Sequence, residues 1–394
     1  MPSPVPAQPG LLIRDPFLYS RSIVIVPPPV VPLLCLFDGE RTEADLREAL
    51  VRATGGDVRV GELMRHIQAT LSENGLLEDA VFERLRQERH QAFAQATRRP
   101  PAHAGSAYPG EAGALRETLR AYMDPGSPAT PAPAGLVGIA APHVSPEGGF
   151  RCYRDAYAAL TPEHRQRTFV ILGTSHYGAP DRFGLTRKPF VTPLGEAPIA
   201  VELSEFLRER GGPAVVEEDY CHAVEHSIEF QVVFLQHLLG PDVRIVPVLC
   251  GPLSRGESPG ERPEDHAPVA RFFQALGELA AREGERLLWV LGVDMAHQGR
   301  RYGDPFAAEA ERGPLAEVAV RDRERIARLT EGDADGFWRL VRGGHDDLKW
   351  CGASPLYTFL RAVGPVRGEL RRYEQWNIDP ASVVSFASLH FTRA

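Results

Sequence analysis

The segment ILGTSHYG, residues 171–178, ends an apolar run at a glycine and presents a histidine, His176, three residues later. Two other apolar runs end in a similar way: GLVGIAAPH leads into His143, and RLLWVLGVDMAH leads into Asp294 and His297. Apolar residues on both faces of the pleat are typical of strands in a sheet that is covered on both sides. Because ligands in open α/β sheets bind at the carboxyl ends of the strands, the three endings predict one shared site.

Helical patterns alternate with these strands and with two further apolar runs, VRIVPVLCG and SVVSFASLHF. This alternation predicts a layered α/β fold, and we expect residues 136–394 to form an α/β domain with a metal pocket. Residues 99–135 contain two proline-rich stretches around a helical pattern at 111–122. They are predicted to be a linker and the first helix of the main domain.

Residues 1–98 predict a small, helix-rich module of winged-helix type. The proline-rich start offers one or two short strands. Three helical patterns follow it. The first has Thr42 as its N-cap with Asp45 three residues later, which is a weak capping box. The second ends near Gly75, which can supply a left-handed C-cap.

Charge and composition exclude several classes of protein. The 394 residues carry a net charge of -8 and a pI of about 5.9, which disfavours binding to nucleic acid or to an anionic membrane. No apolar run approaches the roughly 20 residues that cross a bilayer, and the start lacks the pattern of a signal peptide. The five cysteines lie far apart without a C-x-x-C motif. Reduced, mostly buried thiols in a cytoplasmic protein are therefore expected.

A fourth cluster of polar side chains lies in EEDYCHAVEHSIEFQ, which predicts a loop entering a helix and contains His226. Neutral imidazole is the commonest metal ligand in proteins. Two histidines with one carboxylate are typical of non-haem iron oxygenases, and zinc hydrolases also leave one position open beside three ligands. We therefore predict a metal centre formed by His143, His176 and His226. His226, Asp294 and His297 are predicted to be its catalytic side chains.

Other interpretations of single motifs remain open. HAVEH, residues 222–226, fits the H-x-x-E-H signature of inverted zinc proteases, with His222 and His226 as ligands and Glu225 as the base. That interpretation leaves the histidines at the strand ends unexplained, so it ranks below the shared site. Cys351, in the turn WCGASPLY that opens a helix, could approach the site, but a buried structural thiol is the favoured interpretation.

In order and spacing, seven motifs resemble the Memo family, also called AmmeMemoRadiSam system protein B. The resemblance covers about residues 101–394. It begins at AHAGSAYPG and ends at CGASPLY, and it includes the following segments: APHVSPEGG, ILGTSHYG, VEHSIEFQVVFLQ, VPVLCG and VDMAHQGRRYG. The first 98 residues are similar to small winged-helix modules of PqqD type, mainly through FDGERTEADL.

The resemblance implies a fold related to class III extradiol dioxygenases, with a metal pocket that holds non-haem iron. His143 and His176 match the two metal-site histidines of the family. Asp294 and His297 match its S-D-x-C/S-H segment. The E-H-S-I-E helix start of the family corresponds to Glu225, His226 and Glu229.

Two departures from the family pattern affect the predicted chemistry. Where the resemblance implies a cysteine as the third ligand, this chain has Ala296, so His226, Asp294 or His297 must complete the site or metal binding is weak or lost. Where the family has A-G-Y after the first histidine, this chain has VSP at residues 144–146.

The resemblance implies a metal-binding protein with Fe(II), or else copper or zinc, that acts as an oxidoreductase with a radical-SAM protein or with a peptide held by the N-terminal module. A small-molecule substrate is a further alternative to the peptide. One alternative is extradiol cleavage of a catechol, with His226 or His297 as acid and base. The other is a non-enzymatic interaction protein with a degenerate pocket, which Ala296 favours.

Overall fold

The chain folds into two compact units, Met1–Gln95 and Ala96–Ala394. The computed structural model describes residues 7–53, 60–124, 133–254, 260–342 and 347–394. Within the first unit, the strands and helices in chain order are β1 (Leu11–Arg14), β2 (Ile23–Val26), α1 (Val31–Leu34), α2 (Glu43–Ala53), α3 (Val60–Glu73) and α4 (Ala80–Gln95).

Local signals in the first unit act as the sequence predicts. Strands β1 and β2 pair antiparallel. Before α2, the Thr42 amide donates to Asp45 Oδ2 at 2.8 Å and the Asp45 amide donates to Thr42 Oγ1 at 3.3 Å, which is a reciprocal capping box. Gly75, just past α3, has the left-handed φ of 65°. The winged-helix assignment of this unit stays a prediction.

The second unit alternates strands and helices along the chain. Its strands are β3 (Leu136–Ala141), β4 (Thr168–Thr174), β5 (Phe183–Leu185), β6 (Phe190–Thr192), β7 (Gly195–Ala197), β8 (Val215–Glu217), β9 (Ile245–Cys250), β10 (Leu287–Gly292), β11 (His297–Gly299), β12 (Val366–Asp379) and β13 (Ser382–Arg393). Its helices are α5 (Ala112–Met123), α6 (Pro146–Tyr157), α7 (Val201–Arg210), α8 (Cys221–Val224), α9 (Glu229–Leu239), α10 (Ala267–Glu283), α11 (Pro314–Glu331), α12 (Ala334–Arg342) and α13 (Ala353–Val363).

One large sheet organises this unit, in the strand order β11-β13-β3-β10-β4-β9-β5-β8, with β12 on the other edge of β13. Strands β3, β10, β4 and β9 are mutually parallel, so their carboxyl ends lie along one edge of the sheet. Strand β13 joins antiparallel to β3, and β5 joins antiparallel to β9. The predicted strand endings therefore lie side by side in the structure.

Both faces of the sheet are buried, because the side chains of β4 alternate between two separate apolar cores. Val170 and Leu172 belong to a core that also contains Phe272 of α10 and residues of α13. Phe169 and Ile171 belong to a core built with side chains of α6 and α9. This arrangement of helices on both faces of a sheet confirms the predicted layered α/β fold. Within the described ranges, every helix is too short or too polar to span a bilayer.

Two glycines at strand ends allow the chain before α9 to lie directly against the sheet. A Cβ atom on Gly173, in β4, would lie 2.5 Å from Ser227 Oγ, and one on Gly292, in β10, would lie 2.2 Å from the Ser227 carbonyl oxygen. Ser227 Oγ donates to the Thr174 carbonyl at 2.7 Å and joins the segment to the sheet. The absence of side chains at these two positions therefore determines where the neighbouring His226 lies.

We expect Gly292→Ala to destabilise the protein by about 1–3 kcal/mol, because the added methyl group overlaps the Ser227 backbone and forces it away. Urea unfolding measures the change. Gly113→Ala in α5 is the matched control, since nothing lies within 4 Å of its Cβ position. The control should be neutral or stabilising by up to about 1 kcal/mol. Equal effects of the two substitutions would contradict this account.

Candidate metal centre

His143 follows β3 and is held in one orientation by two hydrogen bonds. Its backbone amide donates to Asp294 Oδ1 at 2.9 Å, and its Nδ1 lies 2.9 Å from the Gly292 carbonyl oxygen. A carbonyl oxygen only accepts, so Nδ1 carries the proton and Nε2 keeps its lone pair. Burial lowers the pKa of His143, and beside the neutral Cys351 thiol the ring is therefore neutral; only an ionised Cys351 favours the charged ring. This is the tautomer and charge state of a metal-ligating histidine.

The carboxylate of Glu225 positions the other two histidines. His176 Nδ1 and His226 Nδ1 each lie 3.0 Å from Glu225 Oε1. The backbone amides of the same two residues donate to this carboxylate at 2.8 and 2.9 Å. Because Nδ1 of each ring is occupied in this way, its Nε2 atom is left for other partners. Glu225 itself is buried.

The three imidazoles converge at the carboxyl edge of the sheet. Ring centroids lie 5.0 Å apart for His143 and His176, 5.1 Å apart for His143 and His226, and 5.0 Å apart for His176 and His226. Cys351 completes the cluster, with its Sγ 3.3 Å from His143 Nε2. Donor atoms of His143, His176 and Cys351 all lie within 4.8 Å of one another.

These distances fit a bound metal ion. Two donor atoms on a tetrahedral ion, at bond lengths of about 2.0–2.3 Å, lie roughly 3.3–3.7 Å apart. The contact between Cys351 and His143 already has this spacing, and a small movement of His176 would bring the third donor to it. The side chains of His176 and His226 are 28% and 29% exposed, so the cluster opens to solvent on their side. An ion held here would keep an accessible coordination position.

Charge coupling within the cluster shifts the pKa values of its thiol, of one imidazole and of the carboxylate. Burial alone would raise the pKa of the Cys351 thiol, but His143 and His176 outweigh burial and lower this pKa to about 7. Burial opposes charge on both members of the pair His176 and Glu225. Their mutual attraction nevertheless raises the pKa of His176 well above its ordinary value and lowers that of Glu225 well below it.

Asp294 and His297 contact the residues of the cluster and the backbone next to them. Asp294 is buried, which raises its pKa, and its Oδ2 lies 3.6 Å from His143 Nε2. His297 Nδ1 donates to the carbonyl oxygens of Met295 at 2.9 Å and Lys349 at 3.2 Å. Neither residue belongs to a three-donor group among the described residues. In the structure, Asp294 orients His143, and His297 holds the chain that leads to Cys351.

The third donor that the sequence did not reveal is Cys351, which had been expected to be a structural thiol. It directly precedes α13, and its carbonyl oxygen accepts a hydrogen bond from Thr174 Oγ1, at the end of β4, at 3.2 Å. Ala296, at the position where a cysteine ligand had been expected, is buried, and its backbone amide donates to Ser385 Oγ at 2.8 Å. In the sequence, the available signal for this donor was a cysteine in a turn that opens a helix. Its partner His143 lies far away in the sequence, so no local pattern links the two residues.

The zinc-protease interpretation of HAVEH is wrong. Helix α8 ends at Val224, Glu225 has extended dihedral angles of -76° and 141°, and α9 begins only at Glu229. His222 and His226 therefore do not share a helix face. His222 is buried, and its Nε2 pairs with the Gly184 carbonyl oxygen at 3.0 Å. Glu225 is bound to two imidazoles and does not lie beside a His222–His226 ligand pair.

A buried ion pair that the sequence did not predict stabilises this break between the two helices. The fully buried Arg99 guanidinium donates to the carbonyl oxygens of His222 and Glu225, each at 2.8 Å, and contacts the Glu229 carboxylate. Glu229 also accepts the backbone amides of Ala102 at 2.9 Å and of His103 at 3.0 Å. Glu229 is therefore a structural residue in this conformation, not a donor to the cluster.

The fold and the cluster together define a layered α/β protein with three imidazoles and one thiol at the carboxyl edge of its sheet. The sequence model of the Memo-like protein family matches residues 99–390. Since this match spans most of the chain, the protein belongs to that family, and the predicted resemblance is confirmed.

Named relatives are similar to this chain over two different lengths. A MEMO1 family protein of Aquifex aeolicus (strain VF5) is 28% identical over 96% of this chain and 95% of its own length. The MEMO1 family protein TK1477 of Thermococcus kodakarensis is 29% identical over 75% of this chain and 99% of its own length. The uncharacterized protein JW3007 of Escherichia coli K12 has a solved structure that matches with a TM-score of 0.41 and 16% identity, over 65% of this chain and 99% of that chain. A likeness of that size carries no argument about function.

We expect Cys351 in metal-free protein to react with iodoacetamide along a pH profile centred near 7, because His143 and His176 stabilise its thiolate. The measurement is the alkylation rate in a Cys35→Ser background, since Cys35 is exposed. His143→Asn should move the midpoint towards the ordinary thiol value of about 8.5. Identical midpoints before and after that substitution would contradict the assigned coupling.

Proposed function

We propose that this protein binds one transition-metal ion through His143, His176 and Cys351 and uses it in redox chemistry. The observation that carries the proposal is the 3.3 Å contact between Cys351 Sγ and His143 Nε2, with His176 in the same group of donors. These residues come from three distant segments whose only common feature is their place at the carboxyl edge of the sheet. Cys351 replaces His226 as the proposed third ligand.

The donor set restricts the metal. Imidazole and thiolate are ligands for iron, copper and zinc, whereas magnesium and calcium prefer oxygen. We propose Fe(II) as the metal, with copper and zinc as alternatives, and a bound iron or copper ion would supply one-electron chemistry. A thiolate ligand suits the reducing cytoplasm, where we place the protein.

Side chains around the proposed ion have separate tasks. Glu225 and Asp294 orient the imidazoles, as carboxylates beside metal sites commonly do. His226 lies on the open face, and its ring stacks beside His176 with an angle of 11° between the planes. It is half-buried and held by Glu225, so we propose that it transfers a proton to or from a bound molecule.

Catechol ring cleavage is the weaker alternative. Non-haem iron oxygenases use two histidines and a carboxylate. Among the described residues, the carboxylate that forms a three-donor group is that of Glu225, which already binds two imidazoles and three backbone amides. The thiol of Cys351 therefore favours a thiolate-ligated redox centre.

The N-terminal unit Met1–Gln95 is our proposed partner-binding unit, for a radical-SAM protein or for a peptide substrate. The lengths of the relatives support a separable role for this unit. The Aquifex aeolicus protein matches 96% of this chain, whereas the Thermococcus kodakarensis protein matches 75% with nearly its whole length.

We expect purified protein to carry about one metal ion per chain, and the variants Cys351→Ala and His143→Ala/His176→Ala to lose most of it, because each removes donor atoms. Elemental analysis measures the content. His266→Ala is the matched control, since this exposed histidine lies outside the cluster and pairs with Asp181. Metal retained by the double histidine variant would refute the site, and metal-free wild-type protein would support the interaction-protein alternative.

Glu225→Gln is expected to weaken metal binding roughly 10–100-fold without removing any ligand, because the neutral amide no longer orients and polarises the imidazoles. Competition with a metal chelator measures the affinity. Glu218→Gln provides a control, because this half-buried carboxylate pairs with Lys188 and Arg187 away from the cluster. Unchanged affinity in Glu225→Gln would show that the carboxylate has only a structural role.

A further inference from the structure

A cavity of about 240 Å³ lies directly beside Cys351 and His176. Beyond these two residues, its described lining is largely apolar and includes the following side chains: Pro252, Leu253, Trp338, Val341 and Trp350. The cavity therefore connects an apolar chamber to two of the proposed metal ligands. Nothing in the proposed redox function yet accounts for it.

The two tryptophans present no free hydrogen-bond donor to this cavity. The Trp338 indole N–H donates to the Glu261 carbonyl oxygen at 3.1 Å, and the Trp350 indole N–H donates to Asp322 Oδ1 at 2.7 Å. Both side chains are buried, at 4% and 3% exposure. They are therefore held as rigid apolar walls, and their aromatic surfaces favour contact with another ring.

Two of the three hydroxyl groups of the described lining are also occupied, whereas Ser175 Oγ is buried and has no hydrogen-bond partner among the described residues. Thr174 Oγ1 donates to the Cys351 carbonyl oxygen at 3.2 Å, and Ser354 Oγ donates to the Gly251 carbonyl oxygen at 2.6 Å. The described lining contains no lysine, arginine, aspartate or glutamate side chain. The His176 imidazole of the lining is already paired with Glu225. A charged group placed among the apolar walls would therefore lose its hydration without gaining an unpaired partner, which is strongly unfavourable.

The volume limits the size of the occupant. An apolar cavity of about 150 Å³ holds one benzene molecule, and typical pockets for larger ligands begin near 300 Å³. A chamber of about 240 Å³ therefore accepts one ring with a small substituent. It is too small for two fused rings or for a nucleotide.

We infer that this chamber binds a neutral, single-ring organic group and directs its substituent towards Cys351 and His176. The inference rests on the proposed function in one respect: the proposed metal centre is the place where the substituent of the bound ring would react. Binding of the ring depends on the apolar walls and on the volume. It is therefore measurable in the full chain with or without metal.

Titration calorimetry and saturation-transfer NMR with a panel of compounds test the inference. We expect p-cresol to bind saturably, and benzoate and 2-naphthol to bind at least about tenfold more weakly, because one is charged and the other is too large. Acetyl-tyrosine amide tests whether a peptide can supply the ring. Binding by p-cresol alone assigns the chamber to free small molecules, and binding by both compounds extends the ligand class to peptides.

Two wall substitutions change the volume in opposite directions. Leu253→Ala enlarges the chamber and should create measurable affinity for 2-naphthol, a gain that misfolding could not produce. Val341→Phe fills the chamber and should weaken p-cresol binding about tenfold or more. Val320→Phe is the matched control for added bulk, since Val320 is 57% exposed and lies outside the lining. The control should bind p-cresol as wild type does.

The inference is overturned if benzoate binds as tightly as p-cresol, if p-cresol fails to bind, or if Leu253→Ala gains no affinity for 2-naphthol. The proposed function fails separately. His143→Ala, outside the lining, should lose metal while it still binds p-cresol. Loss of ring binding with intact metal content would contradict the ring site alone, and metal-free wild-type protein that still binds p-cresol would contradict the metal site alone.

Discussion

The buried carboxylate of Glu225 is the interaction on which the rest of the cluster depends. It joins the end of β4, through His176, to the segment before α9, through His226. A buried charge is tolerated only when it is paired and hydrogen-bonded, and this carboxylate receives two imidazole donors and the backbone amides of His176, His226 and Ser227. The same bonds that stabilise the charge also fix the direction of two imidazole rings.

This arrangement requires the backbone around Glu225 to leave the helical conformation, and other parts of the fold stabilise that break. The missing side chains of Gly173 and Gly292 allow Ser227 to contact the sheet. Arg99 binds the carbonyl oxygens that the end of α8 leaves unpaired. The packing of Ser227 and the hydrogen bonds of Arg99 therefore both fix the backbone around Glu225. A change in either would move the imidazoles that Glu225 binds.

Much of the fold and two of the three proposed donors were accessible from sequence patterns. The strands that end near His143 and His176 are continuous apolar runs, and their shared edge follows from the parallel α/β rule. Cys351 was misjudged because it lies in a turn before a helix, 208 residues from the His143 ring that it contacts. Ala296 suggested that a donor was missing, whereas the fold places the thiol of Cys351, just before α13, beside His143.

The sequence by itself determined the layered class, the parallel strand ends and the two histidines that follow them, because strand periodicity and glycine placement are local properties of the chain. Only the tertiary structure decided that a thiol joins them, that the H-x-x-E-H motif is broken by an extended residue, and that two tryptophans enclose a chamber beside the thiol. Those features depend on contacts between segments far apart in the chain, and no local pattern encodes the distance between two such side chains.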